Sequence, residues 1–219
     1  EKMYVNAKVT RNDTTEKVKL RLKGDNVDHI STNKWSFRIK QKGKSNAYSI
    51  QHPKTRSFMY EWIVHKCFEK FQIITTPYRF AQVYINSKNM GIYALEEHFT
   101  SKMLKMNNRT PGPILKFSEE IAWQEEQQFK AYFSQNKITL NGTGNIHSAK
   151  IEVFNNVKYK NQKNLIKKAT DVLNKFRNDR IELKKFFDLD LWSKYFAICE
   201  VFGANHAVRW HNVRFYYNP

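Results

Sequence analysis

Cysteine and long apolar runs are both scarce in this sequence. Its two cysteines, Cys67 and Cys199, lie in apolar helical patterns without the spacing of metal ligands, so we interpret them as buried free thiols, with a disulfide as the alternative. No stretch of about 18 apolar residues occurs, and we therefore expect no membrane-spanning helix.

Several catalytic motifs are also missing. The polar segment 24–33 has a single glycine, and no Gly-x-x-x-x-Gly-Lys-Ser/Thr loop occurs, which excludes a Walker-type phosphate loop. His206 and His211 have no cysteine nearby, and the sequence has no His-Glu-x-x-His pattern, which argues against a zinc site. The absence of a Gly-x-Ser-x-Gly elbow argues against a Ser-His-Asp hydrolase.

Acidic residues are few relative to basic ones. The 219 residues include 38 Lys and Arg but 20 Asp and Glu, a formal charge of +18. Such a balance predicts an anionic partner, which is a nucleotide, a nucleic acid, an acidic protein or an anionic surface. The basic residues are dispersed and match no nucleic-acid recognition motif, so nucleic-acid binding is the lowest of our alternatives. With 41 % hydrophobic residues, the chain is expected to be globular.

Alternating apolar and polar residues predict three half-buried strands of an antiparallel sheet. These strands cover residues 4–10, 17–23 and 35–40. The second and third each have a basic row on one face, so Arg21, Arg38 and Lys40 are placed to converge on one anionic ligand. The alternative interpretation is a solvated sheet face.

Residues 55–72 have apolar side chains at helical spacing and predict a helix that contains Glu61. Protein kinases use a helix carboxylate to hold a sheet lysine against the nucleotide phosphates. Glu61 is our candidate for that role, and the alternative is an exposed glutamate paired with a nearby lysine.

A hairpin is predicted next, with strands at 80–85 and 92–97 and a turn at 86–91. Its second strand ends in Glu96 and Glu97, and a short helix follows at 100–106. In a nucleotide enzyme this passage would be the adenine-binding hinge; the alternative is an ordinary hairpin end.

Residues 107–113 hold two prolines and a glycine among polar residues, so we place a boundary here between an N-terminal lobe, 1–106, and a C-terminal lobe, 107–219. The second lobe is predicted to be mainly helical. Its predicted elements are a strand at 114–117, helices at 118–132 and 160–178, and a loop at 134–148.

The closing segment combines a helix, a polar loop and a strand. Asp188 is the predicted N-cap of a helix that ends at Gly203, and a strand is predicted at 213–217. The loop between them presents His206 and Asn212, six residues apart. This layout is typical of one half of a phosphoryl-transfer site.

Five segments, in order along the chain, resemble the CotH (spore coat protein H) kinase family of atypical, secretory-type protein kinases. They are Val18-Lys-Leu-Arg-Leu-Lys-Gly24, Lys34-Trp-Ser-Phe-Arg-Ile-Lys40, the helical stretch 56–71, the hairpin 79–97 and the closing stretch 206–217. The run Gly91-Ile-Tyr-Ala-Leu-Glu-Glu97 is the most specific of them.

The resemblance implies an α+β, two-lobed kinase-like fold with ATP in the cleft, a divalent metal (Mg²⁺ or Mn²⁺), and transfer of the γ-phosphoryl group to Ser or Thr of surface or coat proteins. It further implies an extracytoplasmic or spore-surface location. Arg38 and Lys40 resemble the strand that contacts the phosphates, and Glu96 and Glu97 resemble the acid of the hinge strand. Asn212 resembles the metal-binding asparagine of the catalytic loop. The predicted nucleotide-binding residues are therefore Arg21, Arg38, Lys40, Glu61, Glu96 and Glu97.

Two departures from the family pattern keep a second hypothesis open. The family commonly carries Asp in the catalytic loop, where this sequence has Asn205-His206. An imidazole can accept a proton near neutral pH but does not anchor Mg²⁺ as a carboxylate does. The family's other metal-binding Asp would fall beyond Pro219. A catalytically impaired kinase relative that acts as a scaffold or binding module is thus the alternative to an active enzyme with His206 and Asn212 as catalytic residues.

Overall fold

A computed structural model describes residues 3–24, 29–30, 32–42, 47–120, 124, 127, 132, 135, 146–153 and 162–219. Contacts within the chain divide it into two compact units, Glu1–Asn108 and Arg109–Pro219. Helices and antiparallel strands are mixed, which confirms the predicted α+β class. In the part of the chain that is described, no helix is long and apolar enough to cross a membrane. Cys67 and Cys199 are free thiols, as predicted, although only Cys199 is fully buried.

The first unit contains a six-stranded antiparallel sheet in the order β1-β2-β3-β4-β6-β5. Its strands are β1 (Val5–Arg11), β2 (Thr14–Leu22), β3 (Phe37–Gln41), β4 (Ala47–Gln51), β5 (Tyr78–Ile85) and β6 (Lys88–Glu97). The first three confirm the predicted strands. The fourth was not predicted, because all five of its residues are buried and no exposed-buried alternation marks it in the sequence.

The two faces of this sheet differ in polarity. One face forms an apolar cluster built on Val18, Ile39, Tyr48, Ile50, Tyr93 and Leu95. The register places a row of polar side chains on the other face, one from each of five strands: Arg21, Arg38, Ser49, Glu96 and Tyr78. Since alternate residues of a strand point to opposite faces, the whole row lies on the side away from the apolar cluster.

The predicted helix at 55–72 begins later than expected. A 3₁₀ turn, Pro53–Arg56, is followed by Ser57 and Phe58 with φ of 49° and 57°, and only then does α1 (Tyr60–Lys70) begin. The predicted start at residue 55 is therefore wrong, because left-handed backbone interrupts any continuous helix. Helix α1 buries Val64 and Phe68.

The predicted hairpin is present, but its turn is shorter than expected. Asn86 and Ser87 both have positive φ, 49° and 65°, as a two-residue type I′ turn requires, so β6 begins at Lys88. Helix α2 (Ser101–Met106) follows and confirms the predicted helix. Its N-cap, Thr100, accepts a hydrogen bond from the Met103 amide at 3.1 Å.

The second unit contains a three-stranded sheet in the order β8-β7-β9, and helices whose bounds lie within the described residues. These elements are β7 (Ile114–Phe117), β8 (Ile151–Val153), β9 (Phe215–Tyr216), α3 (Lys163–Arg177), α4 (Leu183–Phe186) and α5 (Leu189–Val201). They confirm the predicted strand at 114–117, the helix at 160–178 and the helix capped by Asp188. The predicted helix at 118–132 and the predicted loop at 134–148 lie mostly outside the described residues.

Candidate functional site

A lysine and a glutamate from distant strands form an ion pair on the polar face of the first sheet. Lys23 directly follows β2, and its Nζ lies 3.2 Å from Oε2 of Glu96 on β6. The side chains are 18 % and 23 % exposed, so solvent screens the pair only partly. Burial would raise the pKa of Glu96, but the positive charges of Lys23, Arg56 and His65 outweigh it and lower the pKa to about 2. The carboxylate is therefore ionised throughout the neutral range.

Gln51, at the end of β4, joins this pair to a second one. Its amide Nε2 donates to Oε2 of Glu96 at 3.0 Å, and its carbonyl Oε1 accepts from Nε of Arg56 at 2.7 Å. The Gln51 side chain is fully buried, so both bonds satisfy groups that water does not reach. Nε of Arg56 in turn lies 3.3 Å from Oε2 of Glu61. We call Lys23, Glu96, Gln51, Arg56 and Glu61 the charged network.

Glu61 is the carboxylate of the charged network whose ionised form is less favoured. Burial raises its pKa to about 7, with a further contribution from the negative charge of Glu96, although Arg56 opposes the change. Its partner is Arg56 of the preceding 3₁₀ turn and not a lysine of the sheet. The sequence offered two interpretations of Glu61: that it holds a sheet lysine against the phosphates, or that it is exposed and pairs with a neighbouring lysine. The contact with Arg56 corresponds to neither.

Arg38 is the predicted basic residue that lies closest to this network in the polar row. Its guanidinium donates to Oγ of Ser49 at 3.3 Å and contacts the ring of His98, while its buried Nε has no hydrogen-bond partner among the described residues. In the described part of the chain this donor is left without an acceptor, which costs free energy.

Arg21 and Lys40 are engaged with the same aromatic ring. Nε of Arg21 donates to the Tyr4 hydroxyl at 3.2 Å, and Nζ of Lys40 lies 4.6 Å from the centre of the Tyr4 ring. Arg21 is the direct cross-strand neighbour of Arg38, so the structure places these two predicted residues side by side.

Glu96 and Glu97 are separated by the pleat of β6. Glu97 is opposite Tyr48, which belongs to the apolar side, whereas Glu96 is opposite Ser49 in the polar row. The Glu97 carboxylate pairs with Arg79 at 3.2 Å and is 32 % exposed. Of the two acids predicted to close the hinge, only Glu96 joins the charged network.

Side chains on both sides of the loop from His206 to Asn212 in the second unit form hydrogen bonds to its backbone. The Tyr195 hydroxyl of α5 donates to the Ala207 carbonyl at 2.8 Å, and the Asn212 side-chain amide donates to the His206 carbonyl at 2.8 Å. The His206 ring is exposed, and its centre lies 6.3 Å from that of His211. Burial lowers the pKa of His211, although Glu119, 3.7 Å away, acts in the opposite direction.

This loop offers few side-chain atoms that could coordinate a metal ion. The amide nitrogen of Asn212 is already committed, so its carboxamide oxygen is the atom available to a cation. Among the residues that the structure describes, no three His, Cys, Asp or Glu side chains are grouped to hold a metal ion. The described residues therefore do not fit a protein-held divalent metal by themselves.

Three members of the charged network were not among the predicted site residues. They are Lys23, Gln51 and Arg56. Lys23 continues the basic alternation of β2, and Gln51 is a polar residue that follows the mostly apolar segment Ala47-Tyr-Ser-Ile. Both residues are therefore recognisable in the sequence as candidates. Their partners, however, lie in segments distant in sequence, so no local sequence pattern predicts these contacts.

These features define an α+β protein with a half-buried charged network on one face of an antiparallel sheet. The family model described as CotH kinase protein matches residues 20–219. Because the match covers nearly the whole chain, the protein belongs to the CotH kinase family, which confirms the resemblance and indicates a kinase-like domain. A comparison with curated proteins found no match.

Proposed function

We propose that this chain is an ATP-dependent protein Ser/Thr kinase domain, with two kinase-like lobes, that modifies surface or coat proteins outside the cytoplasm. The nucleotide phosphates bind to the polar face of the first sheet, where Lys23 and Arg38 supply positive charge. Glu96 holds Lys23 in place, which is the role that a carboxylate plays for the phosphate-binding lysine of protein kinases.

One observation carries this assignment. In protein kinases the phosphate-binding lysine is on the strand before the carboxylate-bearing helix. Here the strand before α1 is β4, and Gln51 ends it, bonded to Arg56 and Glu96. A half-buried lysine–glutamate pair is nevertheless present, because Lys23 extends from the end of β2 to Glu96. The guanidinium of Arg38, in the same polar row as Glu96, adds a second positive charge that suits a phosphate group.

We propose His206, in the loop at 206–212, as the base of the reaction. His206 takes the proton of the Ser or Thr hydroxyl as its oxygen bonds to the γ-phosphorus and the bond to ADP breaks. The hydrogen bond from Asn212 to the His206 carbonyl fixes the loop conformation. We further propose that the carboxamide oxygen of Asn212 contributes to binding the Mg²⁺ or Mn²⁺ that accompanies ATP, a cation that would neutralise phosphate charge.

Nucleotide binding is tested by thermal unfolding of the protein with and without ATP and MgCl₂. At a hundredfold excess over Kd, ATP should stabilise the fold by about 2.7 kcal/mol, which corresponds to a rise in Tm of roughly 5–10 °C for a chain of this size. Lys23→Met should abolish most of that rise, while Arg79→Ala, whose side chain lies outside the charged network, should preserve it. No rise in the unmodified protein would refute nucleotide binding.

Phosphoryl transfer is tested with γ-labelled ATP, the protein and a Ser/Thr-containing protein acceptor. Incorporation that is lost in His206→Ala supports the proposed base. ATP binding without incorporation would instead favour a nucleotide-regulated scaffold, the alternative that a histidine at position 206 also permits.

A further inference from the structure

The outer part of the polar face, on β1, β2 and β3, is a lattice of like charges. The register places Lys8 directly opposite Lys17, and Lys19 directly opposite Lys40. The amide of Lys42, directly after β3, donates to the carbonyl of Lys17 at 3.4 Å, so Lys42 extends the first of these rows. We call Lys8, Lys17, Lys19, Lys40 and Lys42 the cationic face.

All five lysines of the cationic face are exposed. Within the described part of the chain none of them forms an ion pair with a carboxylate, and Glu16 of β2 points to the other face, where it accepts from Gln41. Like charges directly opposite each other destabilise a sheet. The fold thus keeps a repulsive arrangement that an anion would relieve.

We propose that the cationic face binds an extended polypeptide segment with acidic side chains at alternate positions. Lys17 and Lys19 are two residues apart on one strand, which spaces the rows of lysines by about 7 Å. Alternate side chains of an extended peptide repeat at the same distance, so successive carboxylates meet successive rows. This inference concerns binding alone and does not depend on phosphoryl transfer.

The chemistry of the face favours an acidic peptide over other polyanions. Single-stranded nucleic acids need aromatic platforms for their bases, and the aromatic ring on this face, Tyr4, is covered by Arg21 and Lys40 at 5.6 Å and 4.6 Å from its centre. A lipid surface requires exposed apolar side chains beside the basic ones. Here the apolar residues of β2 and β3, such as Val18 and Ile39, are buried on the opposite face.

The experiment measures binding of a fluorescent peptide of alternating Glu and Ser to the whole protein. The variant Lys8→Gln/Lys17→Gln/Lys19→Gln spares Lys40, a predicted nucleotide ligand. Loss of three exposed ion pairs should weaken peptide binding about tenfold. The matched control is Lys167→Gln/Lys168→Gln/Lys175→Gln on α3, which removes the same charge elsewhere and should leave peptide affinity nearly unchanged.

The remaining outcomes are equally decisive. A peptide with Gln in place of Glu should not bind, and affinity for the acidic peptide should fall as salt is added. The cationic-face variant should melt at the same or a higher temperature, because it relieves repulsion. If the α3 control loses as much peptide affinity as the cationic-face variant, the loss is due to net charge alone, and the inference is overturned. Tighter binding of oligo-dT or anionic lipid vesicles than of the peptide would overturn it in favour of those partners.

Discussion

Nζ of Lys23 and Oε2 of Glu96 meet at 3.2 Å although their strands are three places apart in the sheet. Neighbouring strands are about 4.8 Å apart, so a flat sheet would separate the two backbones by roughly 14 Å. The intervening strands present small buried side chains on this side: Ser49 on β4 and, just before β3, Ser36. Two long side chains can therefore meet above them and tie together β2 and β6, each of which is the second strand from one edge of the sheet.

Glu96→Gln should destabilise the first unit, because it leaves the ammonium group of Lys23 partly buried without a counter-charge. We expect a loss of about 2–4 kcal/mol in the free energy of unfolding at pH 7, measured by urea denaturation. The double variant Lys23→Met/Glu96→Gln should lose less than the sum of the single changes. Additive losses would mean that the ion pair does not couple these residues.

The same pair should make the protein sensitive to acid. The pKa of Glu96 is lowered from 4.5 to about 2 in the folded protein, so its stabilising contribution is complete above about pH 4.5 and is lost as pH falls towards 2. Glu96→Gln should flatten the stability profile in that window. An unchanged acid limb in this variant would place the acid sensitivity elsewhere.

Glu61 should have the opposite pH dependence. Its pKa is raised from 4.5 to about 7, so the folded protein holds a proton that the unfolded chain releases between these values. Stability should therefore fall as pH rises from about 4.5 to 7, by roughly 1–3 kcal/mol from this group. Glu61→Gln should remove that decline, and the measurement is the unfolding free energy across this range. A decline that persists in Glu61→Gln would contradict the assignment.

Arg38→Ala should weaken ATP binding roughly 10–100-fold, the loss expected for one or two charge-assisted hydrogen bonds to phosphate. Its effect on unfolding should be small, since the partners of its guanidinium in the described part of the chain are Ser49 and His98 and not a carboxylate. Isothermal titration calorimetry gives the affinity, and Arg79→Ala is the control. Unchanged affinity in Arg38→Ala would show that Arg38 does not bind the nucleotide.

Asp188→Ala should destabilise α5 by about 1 kcal/mol, because Oδ1 of Asp188 accepts the Leu191 amide at 3.1 Å as the N-cap. Asp190→Ala is the matched control: that carboxylate pairs with Lys194 but is 75 % exposed, so its loss should change stability little. Thermal unfolding compares the two. Equal losses of stability in the two variants would show that helix-terminus electrostatics, and not the cap hydrogen bond, accounts for the destabilisation.

Much of the local structure was predictable from the sequence. Period-two alternation located β1, β2 and β3, apolar spacing located α1 and α3, and Asp188 marked the start of α5, since each signal arises between residues close in the chain. The sequence patterns did not predict β4, because a strand buried on both faces does not alternate, nor the left-handed residues Ser57 and Phe58 that delay α1.

By itself, the amino-acid sequence determined most of the strands and helices, the excess of positive charge and the family to which the chain belongs. Only the tertiary structure decided the partners: Lys23 with Glu96, Gln51 between Glu96 and Arg56, and Arg56 with Glu61. The reason is that strand order and register determine which side chains meet. Both arise from packing across the whole sheet and not from neighbours along the chain.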